Sequence, residues 1–291
     1  MAPSIECKNV RVENEDFSLG PVTLSFEPGT ISALVGKNGT GKSTFFKLLM
    51  NLVSPTEGEI TINGQSNLGE NEAWKQRISY QPQTLKGVDS FTGKELKRLI
   101  SNYYPTWDDG LFTRMVNQFG IPLSKPYGKL SQGVQKQLNL ALTIPRDTEI
   151  LLLDEPTAHM DIPTKQILMN ILVEWMERGD KIMLIASHEI EDIRKLADYL
   201  VLFQEGKIVG NYVKEELATR YKRYWLEHPL SSHPLPGEIA RNGDHVIISN
   251  HPEKTESFLL TEKQRWLNAE VLDLEEIITI VLNHERKGEP I

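Results

Sequence analysis

Gly36-Lys37-Asn38-Gly39-Thr40-Gly41-Lys42-Ser43 follows directly on the apolar run Ile31-Ser32-Ala33-Leu34-Val35. Glycines at that spacing let consecutive backbone N–H groups turn inward around phosphate oxygens. Lys42 supplies a cation for the outer phosphates, and the Ser43 hydroxyl can ligate magnesium. The pattern requires a strand before it and a helix after it. Residues 31–35 predict a buried strand of a parallel sheet. Phe45, Leu48, Leu49 and Leu52 recur at i, i+3, i+4 and i+7 and predict one apolar helix face, closed by Asn51 through Pro55. The positive end of that helix faces the same anion. Gly36, Asn38, Gly39, Thr40, Gly41, Lys42, Ser43 and Thr44 are thus the candidate phosphate-binding residues, against the plain alternative of a glycine-rich turn with no ligand.

A chain of 291 residues has room for one large core and a small appendage. Cys7 stands alone and no secretory leader pattern opens the chain, so a reducing cytoplasm is the expected compartment. The longest apolar runs, Ile150 to Leu153 and Ile182 to Ala186, fall far short of the about 20 residues a spanning helix needs. A net charge of −8 argues against a nucleic-acid surface. It leaves nucleotide binding open, because charges are screened over about 8 Å and a local nest of amides with one Lys and magnesium decides the matter.

Ile150-Leu151-Leu152-Leu153-Asp154-Glu155 predicts a second buried strand, ending in two carboxylates. In an open α/β sheet ligands collect at the carboxyl ends of strands, which brings both acids near the phosphate loop. Neighbouring strand side chains alternate in direction, so the two acids take separate tasks. Asp154 is the expected magnesium-shell ligand, direct or through water, and Glu155 the group that polarises the attacking water.

Together these stretches resemble an ATP-binding cassette (ABC) ATPase, the motor subunit of ABC transporters. Leu130-Ser131-Gln132-Gly133-Val134 occupies the place of the family's Leu-Ser-Gly-Gly-Gln signature, with Gln132 and Val134 departing from it. Alone it reads as a helix N-cap. The resemblance implies that Ser131 and Gly133 bind the γ-phosphate held by a partner subunit. Ile78-Ser79-Tyr80-Gln81-Pro82-Gln83 resembles the Q-loop, with Gln83 the expected functional amide toward magnesium or water and Gln81 its neighbour. Ala158-His159-Met160-Asp161 resembles the D-loop, where Asp161 would bridge to the other subunit. Ile182 to Ser187 predicts a strand ending in His188, which matches the switch histidine that senses the γ-phosphate. The family commonly stacks an aromatic ring on adenine. Val10 to Asn14 lacks one, and Phe17 is the nearest candidate, equally readable as core. No Asn/Thr-Lys-x-Asp guanine signature is present, and His228, His233, His245, His251 and His284 fall at no metal-ligand spacing.

The expected fold is α/β. It comprises a P-loop NTPase core with a parallel sheet, an N-terminal antiparallel β region, an α-helical subdomain at about 84–140, and a small C-terminal α+β appendage. The resemblance covers about residues 1–225, leaving 226–291 as an accessory domain. Helices are predicted around Gly93 to Tyr103 and Asp108 to Phe119. Tyr103-Tyr104-Pro105-Thr106-Trp107-Asp108-Asp109 also resembles cassettes of bacterial drug and peptide-antibiotic exporters, although its aromatics can equally be core. His228 to Gly237 reads as a linker. Val246 to Ser249 and Phe258 to Thr261 read as strands, and Leu274, Ile277, Ile278 and Val281 as the stripe of a last helix.

The resemblance implies an ATP-hydrolysing subunit that uses ATP and Mg2+. Two cassettes, identical or related, would close around two ATP and drive a separate membrane permease, with export the expected direction and the inner face of the membrane the expected location. Alternatives are a soluble ABC ATPase acting on ribosomes or DNA, or a nucleotide-binding regulator with little turnover. The intact Asp154/Glu155 pair weighs against the second and the altered signature keeps it in play.

Overall fold

The computed structural model describes residues 4–14, 17–230 and 233–286. In chain order the elements are β1 (Ile5–Asn14), β2 (Phe17–Phe26), β3 (Thr30–Val35), α1 (Lys42–Leu49), β4 (Glu57–Ile62), β5 (Gln65–Ser66), β6 (Ile78–Gln81), α2 (Gly93–Ser101), α3 (Asp109–Phe119) and α4 (Gln132–Thr143). They continue with β7 (Ile150–Asp154), α5 (Ile162–Met176), β8 (Ile182–Ser187), α6 (Ile190–Leu196), β9 (Tyr199–Gln204), β10 (Lys207–Val213), α7 (Lys214–Arg220), β11 (Lys222–Leu226), β12 (Glu238–Asn242), β13 (Val246–Ser249), α8 (Pro252–Thr261), β14 (Trp266–Val271) and α9 (Leu274–Arg286). Two compact units result. The first is Met1–Ala197 with Phe203–Ile208, the second Asp198–Leu202 with Val209–Ile291, so that β9 and β10 carry residues of both.

In the first unit β3, β8, β7 and β6 lie side by side and parallel. All of β7 and β8 is buried, and so is β3 from Ile31 on, as a sheet covered on both faces requires. The register sets Val35 beside Ser187, Ala186 beside Asp154 and Leu153 beside Gln81. All four strands therefore end at one edge, and the segments carrying Gly36, His188, Glu155 and Gln83 leave the sheet there. A separate antiparallel sheet has the order β2-β1-β4-β5.

Helix α1 buries Phe45, Phe46, Leu48 and Leu49. Leu52, expected on the same face, is instead 64% exposed. The helix stops at Leu49 because Asn51 turns left-handed (φ 49°), and the Leu52 N–H then bonds the Lys47 carbonyl at 2.8 Å in a Schellman turn that aims the side chain outward. Helix α2 begins with a reciprocal Thr92–Glu95 capping box, and α3 runs from its Asp108 cap to a left-handed Gly120. Leu96, Leu111, Phe112, Met115 and Leu138 of α2, α3 and α4 join one core with Leu151, Leu153, Met183 and Ile185 of the sheet. Within the exporter-like segment Tyr104 is buried under Arg146 and Trp107 packs on Phe112, whereas Tyr103 is half exposed.

The second unit holds an antiparallel sheet of order β12-β13-β11-β14. Tyr224, Leu226, Leu235, Ile247 and Leu259 form its core, and α9 buries Leu274, Ile277, Ile278 and Val281. The proline-rich stretch 228–237 joins β11 to β12 inside this sheet; its residues 231–232 lie outside the described ones. The strand expected at Phe258 to Thr261 is corrected to the end of α8. Pro252 starts that helix, and Thr255 and Leu259 are buried one turn apart, a pattern that a four-residue apolar run cannot reveal.

Candidate functional site

The loop from Gly36 to Gly41 joins the end of β3 to the start of α1, and its two outer glycines have different causes. At Gly36 a Cβ would lie 2.3 Å from the Phe203 carbonyl oxygen and 2.8 Å from Thr40 Oγ1, so only glycine lets the chain pass. Gly41, the N-cap of α1, sits at φ 111° with Phe17 and Leu19 against it. Thr40 donates to the Lys37 carbonyl at 2.9 Å. Lys42 is buried, and its Nζ donates to the carbonyls of Gly36 at 2.6 Å and Lys37 at 3.0 Å. The ammonium is thereby folded back over the loop. Burial lowers its pKa, while Glu155 and Asp154 pull it back up.

Asn38, Gly39, Gly41, Lys42, Ser43 and Thr44 line an open cleft of about 460 Å³, joined by Phe17, Gln83, Asp154 and Glu155. Gly36 and Thr40 stand behind it as the frame of the loop. Asp154 is buried at the end of β7. Burial raises its pKa, opposed by the hydrogen bond from Ser43 and the charge of Lys136, with Glu155 adding to the rise and Lys42 opposing it. The Tyr80 hydroxyl reaches Asp154 Oδ2 at 3.5 Å, and burial followed by the Asp154 charge holds that phenol well above the ordinary tyrosine range. Glu155 takes a left-handed backbone conformation (φ 50°), and its N–H donates to the Ala186 carbonyl at 2.9 Å. Its Oε2 lies 2.8 Å from His188 Nδ1, while Oε1 is buried without a protein partner. The His188 side chain itself is half exposed.

Gln83 faces the cleft, whereas Gln81 is fully buried with its Nε2 donating to the Pro82 carbonyl. Ser131, Gly133 and Asp161 do not line this cleft. Ser131 caps α4 by accepting from the Val134 N–H, and Asp161 caps α5 by accepting from the Thr164 N–H at 2.9 Å. A bond from the Thr164 hydroxyl, and then that from its N–H, lower the Asp161 pKa. A Cβ at Gly133 would stand 3.0 Å from the His159 carbonyl, so α4 and the 158–161 loop meet there.

Two neighbours of the site carry no sequence signal. Tyr80 reads as an ordinary strand residue and Lys136 as one polar residue in the run Gln135-Lys136-Gln137. Yet Lys136 is buried and donates to the carbonyls of Gln83 and Asp154, both at 3.1 Å. Burial pushes its pKa down to about 8, against the charges of Asp154 and Glu155. Only the packing of α4 on the sheet reveals it.

A family model described as ABC transporter matches residues 19–158. An ABC transporter ATP-binding protein of Archaeoglobus fulgidus is 34% identical over 210 residues, which cover 68% of this chain and 85% of that one. The chain belongs to the ABC transporter family of ATP-binding proteins. A second relative, the ABC transporter ATP-binding protein YtrB of Bacillus subtilis, is 28% identical over 276 residues, 92% of this chain and 94% of its own. The fold is also that of a dimeric ATP-binding cassette in a post-hydrolysis state bound to ADP and Pi, with a TM-score of 0.62 at 20% identity over 72% of this chain and 98% of that one. The protein is thus an ABC-family ATPase. Among the described residues no helix is long and apolar enough to cross a membrane.

Proposed function

We propose that the chain is the ATP-hydrolysing subunit of an ABC transporter, closing as a pair around two ATP and driving a separate membrane permease. The observation that carries this reading is the convergence of the phosphate loop, Gln83, Asp154 and Glu155 on one cleft, with His188 hydrogen-bonded to Glu155. The amides of residues 38–44 and Lys42 bind the phosphates, for which Lys42 exchanges loop carbonyls for phosphate oxygens. Ser43, Asp154 and Gln83 offer only oxygen donors, a set that suits magnesium, which takes one or two carboxylates and substrate phosphates and keeps several waters. When bound, the ion neutralises charge on the β- and γ-phosphates.

Glu155 accepts hydrogen bonds from the attacking water, and His188 fixes that carboxylate by one oxygen while leaving the other free for the task. Phe17, beside Gly41, supplies the ring against the base. Ser131 and Gly133 point their helix start at the nucleotide of the second cassette, and Asp161 stands at the seam. That these three residues lie outside their own chain's cleft supports a pair of cassettes, as does the dimer seen in the similar fold. The proposed domains are 1–225 for the cassette, its helical subdomain at about 84–140, and 226–291 for the accessory part. Export is the proposed direction, on the resemblance of Tyr103 to Asp109, and the cytoplasmic face of the membrane, reached through the permease, is the proposed location.

The test is equilibrium titration with labelled ATP in the presence and absence of Mg2+, followed by phosphate release from the chain reconstituted with its membrane partner. Magnesium-dependent binding and partner-stimulated release are expected. Absence of any magnesium-nucleotide affinity overturns the reading.

A further inference from the structure

We propose that Lys136 is a positioning residue, tying the main chain of Gln83 to that of Asp154 so that the seating of α4 sets where the Gln83 amide lies in the cleft. The inference rests on the reading of Gln83 and Asp154 given above. Three observations carry it. The ladder between β6 and β7 stops at Gln81 and Leu153, just where the chain of β6 leaves the sheet to carry Gln83 into the cleft. Immediately beyond that point the Lys136 ammonium donates to the Gln83 carbonyl and to the Asp154 carbonyl, each at 3.1 Å, and so stitches two segments the sheet no longer holds together. The side chain that does this is 4% exposed and stands on α4 about one and a half turns beyond its Ser131 cap.

A buried ammonium that bonds two neutral carbonyls, its desolvation only partly offset by the charges of Asp154 and Glu155, is a costly way to stabilise a fold, since an apolar side chain of similar volume avoids the desolvation. A purely structural role is better served by Met. A tetrahedral donor that reaches two carbonyls at once fixes geometry instead, and misplacement of a catalytic group by even 1 Å costs up to about 100-fold in rate. Gln83 also borders a second cleft of about 310 Å³ that Lys136 lines, so the 83 segment has space to swing away once the stitch is cut. The consequence is a rigid path from the helix start carrying Ser131 to the magnesium side of the same chain's own site.

The experiment compares Lys136→Met, Lys136→Gln and Lys136→Arg with wild type in the full chain. Read-outs are kcat and KM for ATP, equilibrium ATP affinity, and hydrogen exchange of the amides of residues 83–86. For Met and Gln a fall in kcat of about tenfold is expected, with ATP affinity and KM within about twofold. Exchange at 83–86 should rise at unchanged global stability. Arg, which can still span two carbonyls, should return both towards wild type. Wild-type kcat and unchanged exchange in both the Met and Gln variants overturn the proposal, as does a KM that rises in step with the loss of rate. Exchange needs no turnover. It therefore decides the role of Lys136 even if the wild-type chain hydrolyses nothing, a result that would count against the proposed function instead. Should Met unfold the chain, Gln and Arg carry the same comparison.

Discussion

Glu155 occupies a left-handed backbone conformation, which costs a non-glycine residue of order 1–3 kcal/mol and persists only where surroundings over-determine it. Here the Ala186 carbonyl holds its amide and His188 holds one carboxylate oxygen. Glu155→Gln keeps the shape and removes the charge, so turnover should fall by about 100-fold or more while ATP affinity stays within about threefold, checked by phosphate release and titration side by side. Lys42→Ala should behave in the opposite sense, weakening equilibrium ATP binding at least about tenfold, because its ammonium is already at the loop and only changes partners. These residues were legible in sequence, since each directly follows an apolar strand or a glycine-rich turn. Lys136 and Tyr80 were not, because nothing local marks a lysine in a polar helix or a tyrosine in a strand as a neighbour of Asp154.

At the scale of elements, α4 and α5 are each capped by a side chain that was expected to meet a second subunit, Ser131 and Asp161. A cap and a phosphate ligand make different demands. Ser131→Ala should cost about 0.5–2 kcal/mol of stability as a lost cap, seen in a urea midpoint. If Ser131 also serves the partner's nucleotide, turnover should fall well beyond that while ATP affinity of the single chain is kept.

The second unit carries its own pH-dependent pair. Bonds from Lys222 and then Tyr224 hold the Glu256 carboxyl below its usual value. Its contribution to stability is therefore fully present above the ordinary glutamate pKa of about 4.3 and lost as pH falls through the depressed folded value. Tyr224, raised by burial and by Glu256, contributes in the reverse sense, stabilising below an ordinary tyrosine pKa of about 10 and losing that stabilisation as pH rises. Glu256→Gln should flatten the acid limb of the stability curve, measured as urea midpoints of the full chain from about pH 3 to pH 7. Element boundaries were the least legible part of the sequence. Asn51 ends α1 before Leu52, and Phe258 to Thr261 finishes a helix, because a turn conformation and a helix start several residues away decide what a short apolar run becomes.

For the molecule as a whole, the cleft proposed to hold ATP is assembled from segments far apart in sequence, yet the helix start carrying Ser131 and Gly133, and Asp161, lie outside it. Glu155→Gln should accordingly convert from monomer to dimer on adding Mg2+ and ATP, followed by light scattering. The same variant carrying Ser131→Glu, which sets a negative charge against the partner's phosphates, should remain monomeric. A double variant that still dimerises would remove Ser131 from the interface. By itself the sequence determined which strands are buried, where the glycine-rich loop lies and which acids and amide stand at the strand ends beside it, because period, glycine spacing and strand-end carboxylates are local properties of the chain. Only the tertiary structure decided that Gly36 must clear the Phe203 carbonyl, that Glu155 is clamped by His188 and that Lys136 joins Gln83 to Asp154. Each of those facts is a distance between segments remote in sequence, fixed by how strands align at one sheet edge and how a helix packs across it.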